Sequence, residues 1–414
     1  MSNTVLTPSI IAAEAVRILD NNLVMAKQVY LDYESEFNKS VNGYKVGTTI
    51  TIRKPTDFTV RDGAVADIQD VVEGSLSFAV DKQKGVDFRF TSADMTQKIE
   101  DLSERVIQPA MIQLANQVDA DLHALYTKVP NWVGTAGETI NSFTDFALGP
   151  RRLDAMGVPT NGRSAVLSPA DHWGLLGSQT GLYIQDAAKG AYREGSLGKI
   201  GGVDTYMTQN VSNHTTGSRT TTDLVKGALT STTVTWAATK DTGTYAMEID
   251  GLNGATDTVT AGDVFTIANC YDVNPVTKAR LPHLKMFTIV SAATGSGSVL
   301  AVTISPPPIG DGAQKNCDFA VADLDDDVVT WIGSASTVYP QNLVFHKNAF
   351  ALAMVPMELP AGAVNPVRKS HKGISVRMIP YYDGTNDVSN WRLDILYGVK
   401  AIDPRLATRL SGTA

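Results

Sequence analysis

Apolar residues recur at threes and fours from Ser9 to Phe37, with Ile11, Ala15, Ile18, Met25 and Val29 on one face, and this spacing predicts a helix. Pro8 stands just inside its first turn, where a missing N–H is harmless. Gly43 and Gly47 then punctuate the chain, and residues 48–53 alternate with β-branched side chains as a strand does. From Pro55 to Phe90 the pattern thins to strand-like pieces at 58–60, 76–80 and 86–90, around a charged, small-residue stretch from Arg61 to Asp67. A thin two-stranded ribbon cannot bury a core of its own. It packs back on its own domain or lies on another molecule, and its length favours the second.

Helical spacing returns at Ala93, where Asp94 can cap and Met95, Ile99, Leu102 and Val106 form a stripe. Pro109 breaks that run, because it lacks an N–H and clashes with the preceding turn. A longer helix is predicted from about Pro109 to Lys128, with Ala110, Leu114, Val118, Leu122 and Leu125 on its face. Helix (144–156, closed by Gly157), strand (163–167) and helix (opened by Ser168-Pro169-Ala170-Asp171) then alternate, which predicts a mixed α and β domain. Glycines between 195 and 202 lead into a strand at Val203. Between Ser212 and Thr235, 12 of 24 residues are Ser or Thr, and helical patterning stops. Short β pieces follow at 233–236, 263–267, 286–290 and 299–304, separated by turn residues, which suggests a compact barrel or sandwich. The helix–strand style resumes at Asn342, so a β module inserted into a mixed domain fits better than a third domain in series. Two last strands, 374–379 and 392–399, flank a polar loop from Tyr382 to Asn390.

Composition narrows the function classes. The chain has 414 residues, enough for two or three domains, and 43 acidic against 35 basic side chains, net -8. Such a balance opposes a protein whose main surface grips nucleic acid. The N-terminus lacks a basic segment followed by an apolar one, and no apolar run approaches the roughly 18 residues of a membrane span. A soluble intracellular product is expected. Cys270 and Cys317 form no CxxC, and the six histidines (123, 172, 214, 283, 346 and 371) show no metal-ligand spacing. Lys199 is followed by Ile200, so the glycine run is no phosphate loop, and no GxSxG elbow occurs. Asp323, Asp325, Asp326 and Asp327 lack the glycine turn and distal Glu of a Ca²⁺ loop and read as a solvated or subunit-facing edge. No catalytic, cofactor or metal constellation is present, so no enzyme activity and no cofactor are expected.

The order of elements resembles the major capsid proteins of tailed bacteriophages, the Hong Kong 97-type fold, and within it the P22-type coat proteins with an inserted β-barrel. Phe90-Thr91-Ser92-Ala93-Asp94-Met95 and Gln113-Leu114-Ala115-Asn116-Gln117-Val118-Asp119 resemble the approach to, and body of, that family's spine helix. Gly201-Gly202-Val203-Asp204-Thr205-Tyr206 resembles the strand leading to the insertion. Gly262-Asp263-Val264-Phe265-Thr266-Ile267 and Val302-Thr303-Ile304-Ser305-Pro306 resemble strands within it, and Leu393-Asp394-Ile395-Leu396-Tyr397-Gly398-Val399 the closing strand.

The resemblance implies an α+β fold with an N-terminal arm and first strand (1–54), an extended loop (55–91), and a spine helix in a peripheral domain (92–142). An axial domain (143–220), an inserted β-barrel (221–340), an axial return (341–365), and peripheral strands with a tail (366–414) would follow. It implies self-assembly into hexamers and pentamers of an icosahedral shell, made in the host bacterial cytoplasm with a scaffolding protein and a portal. The shell would enclose double-stranded DNA without reading its sequence and would touch no membrane. Candidate inter-subunit contacts are Arg61, Asp62, Asp67, Asp70, Glu73, Lys82 and Lys84 on the ribbon. Glu248 and Asp250 join them in a protruding loop placed at Asp241 to Asp257. A glycan-binding or decoration-type virion protein, and an encapsulin-like nanocompartment shell, are the alternatives.

Overall fold

The computed structural model describes residues 8–37, 40–41, 44–45, 48–54, 58, 60–66, 68, 74–91, 106–179, 197–219, 223–229, 243–252, 257–363 and 365–413. The short helix expected from Asp94 and the strand expected at 233–236 lie outside them. The chain divides into two compact units: residues 1–51, 77–122 and 350–400, and residues 52–76, 123–349 and 401–414.

In the first unit, helix α1 (Pro8–Asn22) buries Ile11, Ala12, Ala15, Val16 and Leu19 against the strands Val367–His371 and Ile374–Asp383. The expected helix to Phe37 stops at Asn22, whose side-chain amide donates to the Ile18 carbonyl at 2.7 Å. The next amides turn away to a carboxylate: Val24 N–H and Ala26 N–H donate to Asp119 at 2.7 and 3.0 Å. Asp119 stands on helix α2 (Gln108–His123), whose stripe of Ala110, Leu114, Val118 and Leu122 is buried. Burial pushes the Asp119 carboxyl up despite these amide bonds.

The five-stranded sheet of this unit runs Phe350–Met354, Val388–Ala401, Ile374–Asp383, Val367–His371, with Lys82–Thr91 also on Val388–Ala401. The Lys82–Thr91 pairing is antiparallel and unbroken from Val388↔Thr91 to Tyr397↔Lys82. Gly85 lies opposite Asp394 there, and a Cβ on it would sit 2.6 Å from the carboxylate. That carboxylate is buried and takes Arg377 at 2.6 Å and Arg392 at 2.8 Å. The polar loop expected from Tyr382 to Asn390 is shorter than its pattern suggested, because the strands pair as far as Asp383↔Val388.

Two large sheets dominate the second unit. The first has six strands in the order Trp132–Val133, Ala407–Leu410, Asn342–His346, Arg163–Leu167, Val203–Met207, Lys199–Ile200. Every residue of Arg163–Leu167 and Asn342–His346 is buried, as strands covered on both faces must be. Helix α3 (Phe143–Ala155), capped where the Ser142 hydroxyl accepts from Asp145 N–H, supplies Phe146 and Leu153 to this core, and helix α4 (Pro169–Gln179) supplies Leu175. Ala407–Leu410 was expected among the peripheral strands and tail, yet it sits inside this sheet, with Arg409 wholly buried. Conversely Phe350–Met354, expected in the axial return, joins the first unit's sheet. Both differ from the sequence reading because strand partners follow register and not proximity along the chain.

The second sheet runs Leu224–Lys226, Tyr245–Asp250, Leu300–Ser305, Arg280–Ile289, Val264–Val273, Cys317–Phe319, with Val329–Trp331 also on Val264–Val273. A bridge from Leu224 to Val328, with Val225 N–H donating to the Asp327 carbonyl at 2.9 Å, closes it on itself. Its core is Ile249, Phe265, Phe287, Ile289, Ile304 and Leu324. Cys270 and Cys317 lie among them as free thiols, and contact with Cys317, added to burial, pushes the Cys270 thiol up. Two buried ionic clusters brace this barrel, the first of them against helix α3 of the six-stranded core. Asp272 takes Arg152 of α3 at 2.9 Å and Lys285 at 2.8 Å, with His283 at 3.4 Å. Asp263 takes His214 and Arg219, each at 2.9 Å, and the amides of Gly217 and Thr260.

Candidate assembly surface

The ribbon ends in a turn around Gly63, whose φ of +89° lies in the region only glycine adopts freely. Arg61 holds this turn from inside the chain: its Nη1 donates to the Gly63 carbonyl and, at 2.9 Å, to the Val65 carbonyl. The guanidinium proposed as an inter-subunit charge is therefore already engaged with its own backbone. Asp62 forms no ion pair among the described residues. Asp67, Asp70 and Glu73 lie outside the described residues.

What the ribbon presents instead is apolar. Phe58, Val60, Val65 and Ile68 are 56%, 100%, 84% and 92% exposed. Four large apolar side chains left exposed between residues 58 and 68 are a feature that a lone chain has no use for and an interaction surface does. Sequence reasoning looked to the charges and missed them. The available signal was apolar residues recurring through a turn-rich segment with no core to enter.

The other candidates separate in the same way. Lys82 is spent on Asp121 of α2 at 3.0 Å, which also accepts from the Tyr397 hydroxyl at 2.8 Å. Lys84 is exposed and has no ion pair among the described residues. Glu248 does not stand in a protruding loop, because Tyr245–Asp250 is a barrel strand with Met247 and Ile249 in the core. It pairs across strands with Lys226 at 2.8 Å. Asp250 ends that strand half-buried. The acidic run closes the barrel: Asp325 accepts from Gly227 N–H at 2.6 Å, Asp323 from Leu229 N–H at 3.1 Å, and Asn269 reaches Asp327 at 2.8 Å.

Among the described residues no chemistry of turnover is assembled. Tyr126, His214 and Asp263 line up as hydroxyl, imidazole and carboxylate at 3.1 and 2.9 Å, but all three are buried and Arg219 already balances the acid. Burial pushes the Asp263 carboxyl up, and His214, Arg219 and the Thr260 amide together more than offset it, holding the group below its usual range. His123, buried with its Nε2 unpartnered and its Nδ1 3.2 Å from the Ser212 hydroxyl, is driven down to about 4 by loss of water. Arg409 is pressed down to about 9 by burial; it donates to the Val129 and Gly262 carbonyls and lies over Tyr126 and Trp132. No group of His, Cys, Asp and Glu among the described residues could hold a metal ion, and no described helix is long and apolar enough to cross a membrane.

The sequence matches the family described as P22 coat protein, gene protein 5, over residues 2–412. No curated protein matches it. Among solved structures it is similar to one from Mycobacterium phage Che8, with 13% identity, a TM-score of 0.49 and coverage of 94% of this chain and 90% of that one. It is also similar to the mature capsid of bacteriophage PhiM1, with 12% identity, a TM-score of 0.42 and coverage of 88% and 82%. A virus-like particle from Pyrococcus furiosus matches at 7% identity and a TM-score of 0.39 over 97% of each chain.

Proposed function

The chain belongs to the P22 coat protein family, and from that premise we propose how its surfaces serve a shell. It is a tailed-phage major capsid protein, a structural component and not an enzyme, whose copies self-assemble into an icosahedral shell and whose place is the virion capsid. The finer reading is that copies close as hexamers and pentamers through head-to-tail contacts repeated under symmetry. Assembly would proceed in the host bacterial cytoplasm with a scaffolding protein and a portal, and the shell would enclose double-stranded DNA. The net charge of -8 suits a container that must release its DNA again.

The observation that carries this reading is the ribbon, whose apolar side chains Phe58, Val60, Val65 and Ile68 stand exposed in the single chain. Laid across a neighbouring copy, Phe58, Val60, Val65 and Ile68 leave water, each contributing about 1.5–3 kcal/mol when fully buried. The first unit then takes the peripheral role, with α2 as spine. The six-stranded sheet takes the axial role, and the closed β sheet is the inserted domain. Deleting residues 61–70 tests this. A folded monomer that forms no stable particles by sedimentation and negative-stain microscopy is the expected outcome, and particles of normal yield and thermal stability refute it.

A further inference from the structure

One stretch of the chain runs against its overall charge. From Leu359 to Tyr382 the sequence holds no acid, yet it carries Arg368, Lys369, His371, Lys372 and Arg377, in a chain whose net charge is -8. The register folds most of this stretch into one hairpin, Val367–His371 against Ile374–Asp383. Lys372 and Gly373, at φ of +49° and +80°, form its two-residue turn below the last pair, His371↔Ile374. Val367–His371 is the end strand of its sheet, so among the described residues its outer edge pairs with no strand. Arg368 and Lys369 are neighbours on it and point to opposite faces, so the edge carries a base on each side.

Two of the bases are spent within the chain. Arg377 is held by the buried Asp394 at 2.6 Å, and Lys372 by Asp20 at 3.2 Å. Arg368 gives one N–H to the Met357 carbonyl at 3.0 Å and is otherwise exposed. Lys369 and His371 form no ion pair among the described residues. Charge on an open edge keeps stray strands away. That purpose does not call for the removal of every acid around it.

We infer that this hairpin edge is where the chain rests on the phosphate backbone of enclosed double-stranded DNA. The inference rests on the reading of the shell as a DNA container and names the surface the DNA meets. Bases on both faces of one edge, with unpaired amides between them, make a row of donors, and phosphate oxygens accept from both kinds. A duplex presents a charge about every 3.4 Å along each strand and suits such a row, whereas a folded acidic partner brings its own bases. With Arg368 and Lys369 as the free charges, each copy neutralises about two phosphates, so the grip is weak, salt-sensitive and indifferent to sequence.

Two measurements test this. The first is acylation of amines by a small reagent, read by mass spectrometry on DNA-filled particles and on the same particles after DNA release. Lys369 should be shielded in the filled particle and reactive in the emptied one. Shielding in both states assigns the edge to a second copy, and reactivity in both leaves it bare; either overturns the inference. The second is fluorescence anisotropy of a short duplex titrated with unassembled full-length chain at low salt. R368Q/K369Q should bind at least about tenfold more weakly, and its dependence of log affinity on log salt should flatten by about 2, while R368K/K369R keeps the slope. K199Q/K347Q removes two lysines exposed elsewhere and should change the slope little. Equal binding by R368Q/K369Q and the unsubstituted chain, or an equal loss in K199Q/K347Q, overturns the inference. Particles that never hold DNA refute the container reading instead, and the anisotropy series then decides alone whether the hairpin grips a duplex.

Discussion

Asp272 offers the sharpest test of how the β barrel is fastened to its core. Its carboxylate is wholly buried and faces Lys285 at 2.8 Å, Arg152 at 2.9 Å and His283 at 3.4 Å. Substituting Asp272→Ala removes the one acid and leaves cations behind. Arg152 keeps the Asn131 side-chain oxygen at 3.0 Å, but Lys285 has only Asp272 as an ion-pair partner among the described residues. Removing one partner of a buried ionic group costs about 3–5 kcal/mol, because a desolvated charge is left uncompensated. Against the roughly 5–15 kcal/mol by which folded domains are held, that is about a fifth of the total or more. The contrasting variant replaces all three members, Asp272→Leu with Arg152→Met and Lys285→Met, and should recover at least half of the loss, since an apolar cluster needs no compensation. Urea unfolding of unassembled protein at neutral pH, followed by tryptophan fluorescence, measures both. A loss below about 1 kcal/mol for D272A, or a triple variant no more stable than the single one, would show that the cluster's charge balance is not what holds the barrel. Acid provides an independent check. Burial pushes this carboxyl up, yet Lys285, His283 and Arg152 outweigh it and hold it well below its usual range. Its contribution is therefore complete above the unfolded value of about 4 and is lost as pH falls below that.

The other predictions are more local. Gly85→Ala places a methyl 2.6 Å from the Asp394 carboxylate and 2.8 Å from the Leu393 carbonyl, so thermal unfolding should show a loss of about 1–3 kcal/mol. Leu324→Ala empties a fully buried position in the barrel core and should lose about 2–5 kcal/mol in urea titration. His123, held at about 4, binds its proton more weakly in the fold than in the unfolded chain. Stability should therefore fall as pH drops from about 6.5 towards 4, by a few kcal/mol in total, and His123→Gln should flatten that slope in pH-resolved unfolding. Val60→Asp with Ile68→Asp alters only exposed positions, so monomer unfolding should shift by less than about 0.5 kcal/mol while sedimentation shows particle yield collapsing.

Local pattern carried much of this fold. The Ala110, Leu114, Val118, Leu122 stripe gave α2, and period-two stretches gave the strands around Val264, Met286 and Leu300, because burial of one face writes itself directly into spacing. Features set by distant partners left no such trace. Nothing near residue 24 shows that Asp119 will claim its amide and end α1. Nothing near Cys270 shows that Cys317, 47 positions on, lies against it. The candidate contacts suffered for the same reason. Charge marks solvent exposure well, but whether Lys82 or Glu248 is free depends on Asp121 and Lys226, which only the fold brings close.

The placement of Ala407–Leu410 has a kinetic consequence. The barrel's pairings all fall between residues 224 and 331, whereas the six-stranded sheet joins Trp132 to Arg409, and the Arg409 guanidinium reaches a carbonyl 280 positions away. Closing a loop of that length is entropically slow, and contact order of this kind delays folding far more than it lowers stability. The barrel should therefore acquire protection early in refolding, with the central sheet as the late, rate-setting step. Until then the two strands flanking the vacancy, Trp132–Val133 and Asn342–His346, stay unpaired along their inner edges and are the stretch of the nascent chain most in need of shelter by a chaperone.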